Sequence, residues 1–165
     1  MNIIKENIPV LEESNIPFPV DIGLVGRFDN EIIKYNFKRV LIPTQYGLMD
    51  RAFYGKIGKK SVLIIYGRFD QKRTISKDIN FMKTQAAFNA VGAKTIIGTF
   101  VTGGIQKSYE MGDVFIVSDF FGMGGYRKSL YLDGGFKNID MYRPFCGEVR
   151  EALIKSSKKC DFKVY

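Results

Sequence analysis

Between Thr95 and Val117 two apolar, β-branched runs, 95–101 and 114–117, flank a loop that opens on Thr102-Gly103-Gly104. The runs are short, continuous and bounded by glycine, which predicts buried strands. Strands apolar throughout, rather than alternating, belong to sheets covered on both faces, as in α/β proteins. The paired glycines let the backbone turn sharply and approach a neighbour with no Cβ in the way. Ligands of open α/β sheets sit at the carboxyl ends of strands, and Thr99, Thr102, Gly103 and Gly104 fall there.

The rest of the chain supplies elements to go with these strands. Residues 1–20 carry charge and prolines without periodicity and read as an arm, leaving 21–165 as a single α/β domain. Asp21 to Gly26 is a strand ending in glycine, followed by Arg27-Phe28-Asp29. Residues 38–66 read as a meander: strand Arg39–Ile42, turn Thr44-Gln45-Tyr46-Gly47, strand Arg51–Ile57, a turn carried by Lys59-Lys60, and a buried strand Ser61–Tyr66. A meander beside the apolar strands makes the expected sheet mixed, with helices flanking it. Ser76 to Gly92 is the clearest helix, capped by Ser76, with Asp78 in its first turn and an apolar stripe of Ile79, Met82, Ala86 and Ala90. Phe120-Phe121-Gly122-Met123-Gly124-Gly125 is a glycine-rich connection without the lysine of a triphosphate-binding loop.

Composition narrows the function classes. The chain of 165 residues contains no histidine, which removes the commonest general base. Net charge is +8, but the basic residues are scattered with no long Lys/Arg block. A solvated basic surface is the default, polyanion binding an alternative, and nucleic acid is not an expected partner. No apolar run reaches 18 residues and no signal segment is evident, so neither a membrane span nor export is expected and the cytoplasm is the expected compartment. Cys146 and Cys160 alone make neither a disulfide framework nor a metal site, and no cofactor is expected.

Several stretches resemble, in order, the purine nucleoside phosphorylase and methylthioadenosine phosphorylase family: Thr-Gly-Gly-Ile at 102–105 with Gly112-Asp113-Val114, Thr44 to Gly47, Asn80-Phe81 in the long helix, and Met141 to Cys146 leading into Arg150 to Leu153. The resemblance covers nearly all of the chain from Asp21 onward but only the N-terminal part of the family fold. It implies a truncated nucleoside-phosphorylase-like fold, a phosphate site, and assembly as a homo-oligomer (trimer or hexamer) or a hetero-oligomer with a full-length paralogue.

The same resemblance marks where the chemistry has changed. The family's phosphate loop after the first strand keeps only Gly26, with Phe28 at the hydroxyl position and Asp29 adding negative charge. Losing a hydroxyl donor and adding like charge costs an anion several kcal/mol in order of magnitude. The family's Arg-His pair is replaced by Ile65-Tyr66, leaving Arg68 as a substitute contact beside Lys72 and Arg73. Phe100 and Val101 stand where the family has smaller residues against phosphate and nucleoside, and are expected to fill that space. The phosphate-binding remnant is thus Gly26, Arg68, Thr99, Thr102, Gly103 and Gly104, with Asn138 where phosphorylases can place an inter-subunit histidine. No catalytic residue is expected, and inorganic phosphate would be co-substrate only in an active member. The favoured expectation is a degenerate homologue or structural subunit; an active phosphorylase completed by a partner chain is the alternative.

Overall fold

A computed structural model describes residues 10–11, 16–66, 77–122, 140–160 and 163–165. The expectations on Arg68, Lys72, Arg73, Ser76, Met123, Gly124, Gly125 and Asn138 lie outside the described residues, as do the side chains of Asp78, Ile79 and Asn80. The chain divides into two compact units, Met1–Val101 and Thr102–Tyr165.

The first unit is an α/β fold built on a six-stranded mixed sheet. Its strands are β1 (Val10–Leu11), β2 (Ile22–Gly26), β3 (Lys38–Ile42), β4 (Met49–Ile57), β5 (Lys60–Tyr66) and β6 (Thr95–Gly98), in the spatial order β1-β3-β4-β5-β2-β6. The meander β3-β4-β5 is antiparallel, while β2 runs parallel to both β5 and β6. β5 is central and apolar throughout because both its faces are covered. Val62 and Ile64 pack with Ile32, Phe37 and Phe53, while Leu63 and Ile65 pack with Val20, Val40, Ala52, Ala87 and Phe88 on the opposite face.

Helix α1 (Asp29–Lys34) supplies Ile32 to the first cluster, and α2 (Lys77–Ala90) supplies Ala87 and Phe88 to the second. Both helices end in the same way. Asn36 (φ 52°) and Gly92 (φ 63°) take the left-handed conformation, and the next residue donates back to the last turn, Phe37 N–H to Ile32 and Ala93 N–H to Phe88.

Three expectations are corrected here. Where α2 is described on the core it presents Met82, Ala87 and Phe88, with Val91 just past its end, whereas Ala86 is half-buried and Ala90 exposed, because Phe88 has far more apolar surface to bury than either alanine. The β4–β5 turn is Gly58-Lys59, with Lys60 already paired to Ile57, since the turn needs φ 60° at its first residue and Gly58 provides it. The runs 95–101 and 114–117 are not buried strands: β6 stops at Gly98 with Ile96 42% exposed, and in the second run only Val114 forms a bridge, to Val164.

The second unit contains α3 (Gly147–Ser157), which begins after Cys146 and carries Arg150 and Leu153. A short parallel ladder joins 114–116 to 163–165: Val114 N–H donates to Lys163, Tyr165 N–H to Val114 and Ile116 N–H to Tyr165. Both cysteines are exposed and free.

Candidate functional site

The parallel register of β5-β2-β6 brings three chain ends to one level. Gly26 lies opposite Tyr66, Val25 lies opposite Gly98, and Thr99 N–H donates to the Val25 carbonyl at 2.9 Å. This is the carboxyl end of the sheet, where α/β folds place ligands. A Cβ on Gly26 would overlap Thr99 Oγ1 and stand 3.0 Å from the Thr99 carbonyl oxygen and 3.1 Å from Phe28 Cε2. The glycine is therefore required by its own neighbours, Thr99 and Phe28, which already crowd it.

Phe28 is half-buried against the Ile32–Phe37–Phe53 cluster, so the turn from β2 into α1 is closed by an apolar ring. α1 carries no side-chain cap at its start. Instead Asp29, in its first turn, accepts the Tyr66 hydroxyl at 2.8 and 3.0 Å. Burial raises the pKa of the Tyr66 phenol above its ordinary value, and the Asp29 hydrogen bond and charge add to this, with Arg27 and Arg51 pulling the other way. The phenol stays neutral and donates to a carboxylate. An anion entering here would meet the Asp29 charge and compete for a donor already engaged.

Phe100 and Val101 do not fill this end of the sheet. The Phe100 ring folds back over Gly98 of its own strand, where an added Cβ would come 2.5 Å from Phe100 Cε2, and it remains 70% exposed. Val101 is fully exposed. Gly98 lacks a side chain, so a ring two residues on can lie against its backbone, and that contact takes the place of a pocket-filling one.

In the second unit Thr102, Gly103 and Gly104 line an open hollow of about 310 Å³ together with Ile105, Gln106, Tyr109 and Phe115. Neither Gly103 nor Gly104 has positive φ; the left-handed turn of this segment is at Gly112 (φ 101°). A Cβ on Gly103 would meet open space, and one on Gly104 would lie 3.3 Å from Tyr109 Cβ. Tyr109, Phe115 and Tyr165 form an aromatic cluster with centroids 4.7–5.1 Å apart. The hollow offers hydroxyl, amide and backbone groups, but none of its lining residues is cationic, so nothing in that lining balances phosphate charge.

Of the residues singled out from sequence, Gly26 and Thr99 touch, and Thr102, Gly103 and Gly104 share the hollow; Arg68 and Asn138 lie outside the described residues. What sequence reasoning missed is the Tyr66–Asp29 pair. The two residues are 37 apart, and only the β2–β5 register joins them, so no local pattern could announce it. Among the described residues no group of three or more His, Cys, Asp or Glu side chains could hold a metal, and no helix is long and apolar enough to cross a membrane.

The family model described as "Phosphorylase superfamily" matches residues 23–165. The chain is 26% identical over 146 residues to S-methyl-5'-thioadenosine phosphorylase of Hyperthermus butylicus, which covers 87% of this chain and 53% of that protein. It is 31% identical over 128 residues to a probable S-methyl-5'-thioinosine phosphorylase of Methanopyrus kandleri, covering 77% of this chain and 50% of that one. Among solved structures, the methylthioadenosine phosphorylase of Schistosoma mansoni in complex with adenine superposes with a TM-score of 0.69 at 20% identity, over 88% of this chain and 56% of that one. The chain spans about half the length of the curated relatives it matches.

Proposed function

Since the chain belongs to the phosphorylase superfamily, within its nucleoside and methylthioadenosine phosphorylase relatives, we propose that it keeps the family scaffold without its phosphorolytic chemistry and serves as a non-catalytic subunit. Phosphorolysis needs phosphate, sugar and base held in line, because positioning and electrostatic stabilisation supply the rate. The observation that carries the reading is the Tyr66–Asp29 pair. At the carboxyl end of β5 and β2, a neutral donor is tied to a carboxylate, where an anion site needs free donors and positive potential. Phe28 supports it by closing the adjacent turn with a ring rather than a hydroxyl.

Calorimetry with inorganic phosphate, adenosine and methylthioadenosine, beside a direct phosphorolysis assay, tests this. No heat and no product are expected; turnover by the chain alone refutes the reading.

A second reading is an active phosphorylase completed by a partner chain, supported by the family match over residues 23–165. In both readings the chain works as part of an assembly, with itself or with a longer paralogue. Light scattering that finds a lone monomer at micromolar concentration, and no complex with such a paralogue, counts against both.

A further inference from the structure

Strand register in the first unit gathers lysines that are far apart in sequence. β3 and β5 both run antiparallel to β4, so their amino ends lie beside its carboxyl end. Lys38 opens β3, Lys56 is the last residue but one of β4, Lys59 lies in the turn and Lys60 opens β5. β2 and β6 run parallel to β5, and Lys94 stands just before Thr95, the partner of Ile22. Lys34 closes α1, shortly before Lys38. All six side chains are exposed. Lys38 pairs with Tyr54, which puts Lys56 on the same face and diagonally from it, about 7–8 Å away. The charge at this end is one-sided. Asp21 lies among the lysines, but it is taken up by Ser61 and Lys60. Of the other described carboxylates of this unit, Asp29 and Asp50 lie at the opposite end of the sheet, and Glu31 lies one turn before Lys34.

We infer that this lysine-lined end of the sheet binds the phosphodiester backbone of a nucleic acid, without reading base sequence. An ordinary solvated surface intersperses both signs of charge, and this one does not. From β3 to β6 the sheet crosses four interstrand spacings, about 19 Å. One strand of a duplex carries a phosphate about every 3.4 Å, so roughly five or six phosphates run that length, facing six lysines. The cations are all lysines. A compact ammonium suits a phosphate oxygen as a point charge, whereas carboxylate partners favour the arginine fork, which selects nucleic acid over an acidic polypeptide. The headgroups of an anionic membrane are laterally mobile, so a fixed row of charges gains no match there. Tyr35, 39% exposed and with Lys34 Nζ 5.3 Å from its ring centre, adds an aromatic face on which an unpaired base can stack. Such binding does not depend on phosphorolysis and stands or falls apart from it.

Fluorescence anisotropy of the 165-residue chain with labelled duplex DNA, duplex RNA and single-stranded RNA of mixed sequence, over a series of salt concentrations, is the test. Binding to at least one of the three is expected, with a dissociation constant of about 10⁻⁶ to 10⁻⁴ M at physiological salt, and the tightest of them names the source of the phosphodiester. Lys60 is held by Asp21, which leaves five lysines to meet phosphates, so log K on a duplex should fall against log salt with a slope of about −4.5. Lys38→Gln combined with Lys56→Gln should flatten that slope by about 1.8, while Lys38→Arg with Lys56→Arg keeps it. Lys155→Gln with Lys158→Gln removes the same charge from the second unit and should leave the slope as it is. Urea unfolding checks that the variants fold, and Lys34→Gln with Lys59→Gln gives a second pair read in the same way. Absence of binding to all three nucleic acids at low salt overturns the assignment. Equal flattening by the two Gln pairs of the first and second units also overturns it, because the effect would then belong to net charge alone. Binding to poly-glutamate or to phosphatidylserine vesicles as tight as to any nucleic acid does the same.

Discussion

Tyr66 donates its hydroxyl to both carboxylate oxygens of Asp29, at 2.8 and 3.0 Å, across the carboxyl ends of β5 and β2. The pair anchors α1 to the end of the sheet. Removing the hydroxyl in Tyr66→Phe leaves Asp29 half-buried without that donor, and the expected loss is about 1.5 kcal/mol, the low end for a hydrogen bond to a charged group. Urea unfolding measures it. The pair also sets a pH dependence. The folded pKa of Tyr66 is raised above 10.0, so its contribution is fully present below the unfolded value and is lost as pH rises through the folded one. Burial raises the Tyr54 phenol as well, so ultraviolet titration of tyrosinate should show one fewer late-titrating phenol in Tyr66→Phe than in the wild type.

Gly23 in β2 seats the Phe88 ring of α2. A Cβ at Gly23 would come 2.6 Å from Phe88 Cε1 and 2.7 Å from Cδ1. Phe88 is almost wholly buried, so it has little room to retreat. Gly23→Ala should cost roughly 1–3 kcal/mol by overpacking. Trimming the ring should recover part of that: in a double-mutant cycle, Phe88→Leu should be less damaging in the Gly23→Ala background than in the wild type. An additive cycle would mean the helix shifts as a body rather than pressing on the glycine.

At the opposite end of β2, Asp21 accepts three hydrogen bonds: from Ser61 N–H at 2.8 Å, Ser61 Oγ at 2.7 Å and Lys60 Nζ at 3.1 Å. The Ser61 hydroxyl and amide, followed by Lys60, lower its pKa from 3.8 to about 2. A depressed carboxylate stabilises the fold above its unfolded pKa, and that contribution is lost as pH falls through the folded one. Stability should therefore decline between about pH 4 and pH 2, and Asp21→Asn should flatten that part of the curve. Thermal unfolding across this range, on both proteins, is the measurement.

How much of this was legible beforehand depends on what each residue packs against. The apolar run of β5 announced a strand covered on both faces, and Val62 to Ile65 bear that out. The runs at 95–101 and 114–117 carry the same signal, yet Ile96, Val114 and Val117 are exposed. An apolar pattern states what a segment tends to bury, not whether the burying surface lies in the same chain. The helix stripe slipped by one position because Ala86-Ala87-Phe88 fits two phases, and only tertiary packing of Phe88 chooses between them. At the candidate site, Gly26 and Thr99 were visible as strand ends, but the pairing of Asp29 with Tyr66 depends on strand register, which no local stretch encodes.

Gly26 offers the sharpest separation of packing from anion binding. Its missing side chain makes room for Thr99 and Phe28, since an added Cβ would overlap Thr99 Oγ1 and press on the Thr99 carbonyl oxygen and the Phe28 ring. Gly26→Ala should therefore destabilise the fold by roughly 1–3 kcal/mol. Adding Thr99→Ala removes the hydroxyl clash but not the contacts with backbone and ring, so the double variant should regain only part of the loss. Inorganic phosphate decides what the glycine is for. If Gly26 is a packing residue, phosphate leaves the melting temperature of wild type and variant equally unmoved. If it still cradles an anion, phosphate raises the wild-type melting temperature by mass action and fails to raise that of the variant, and the non-catalytic reading falls with it.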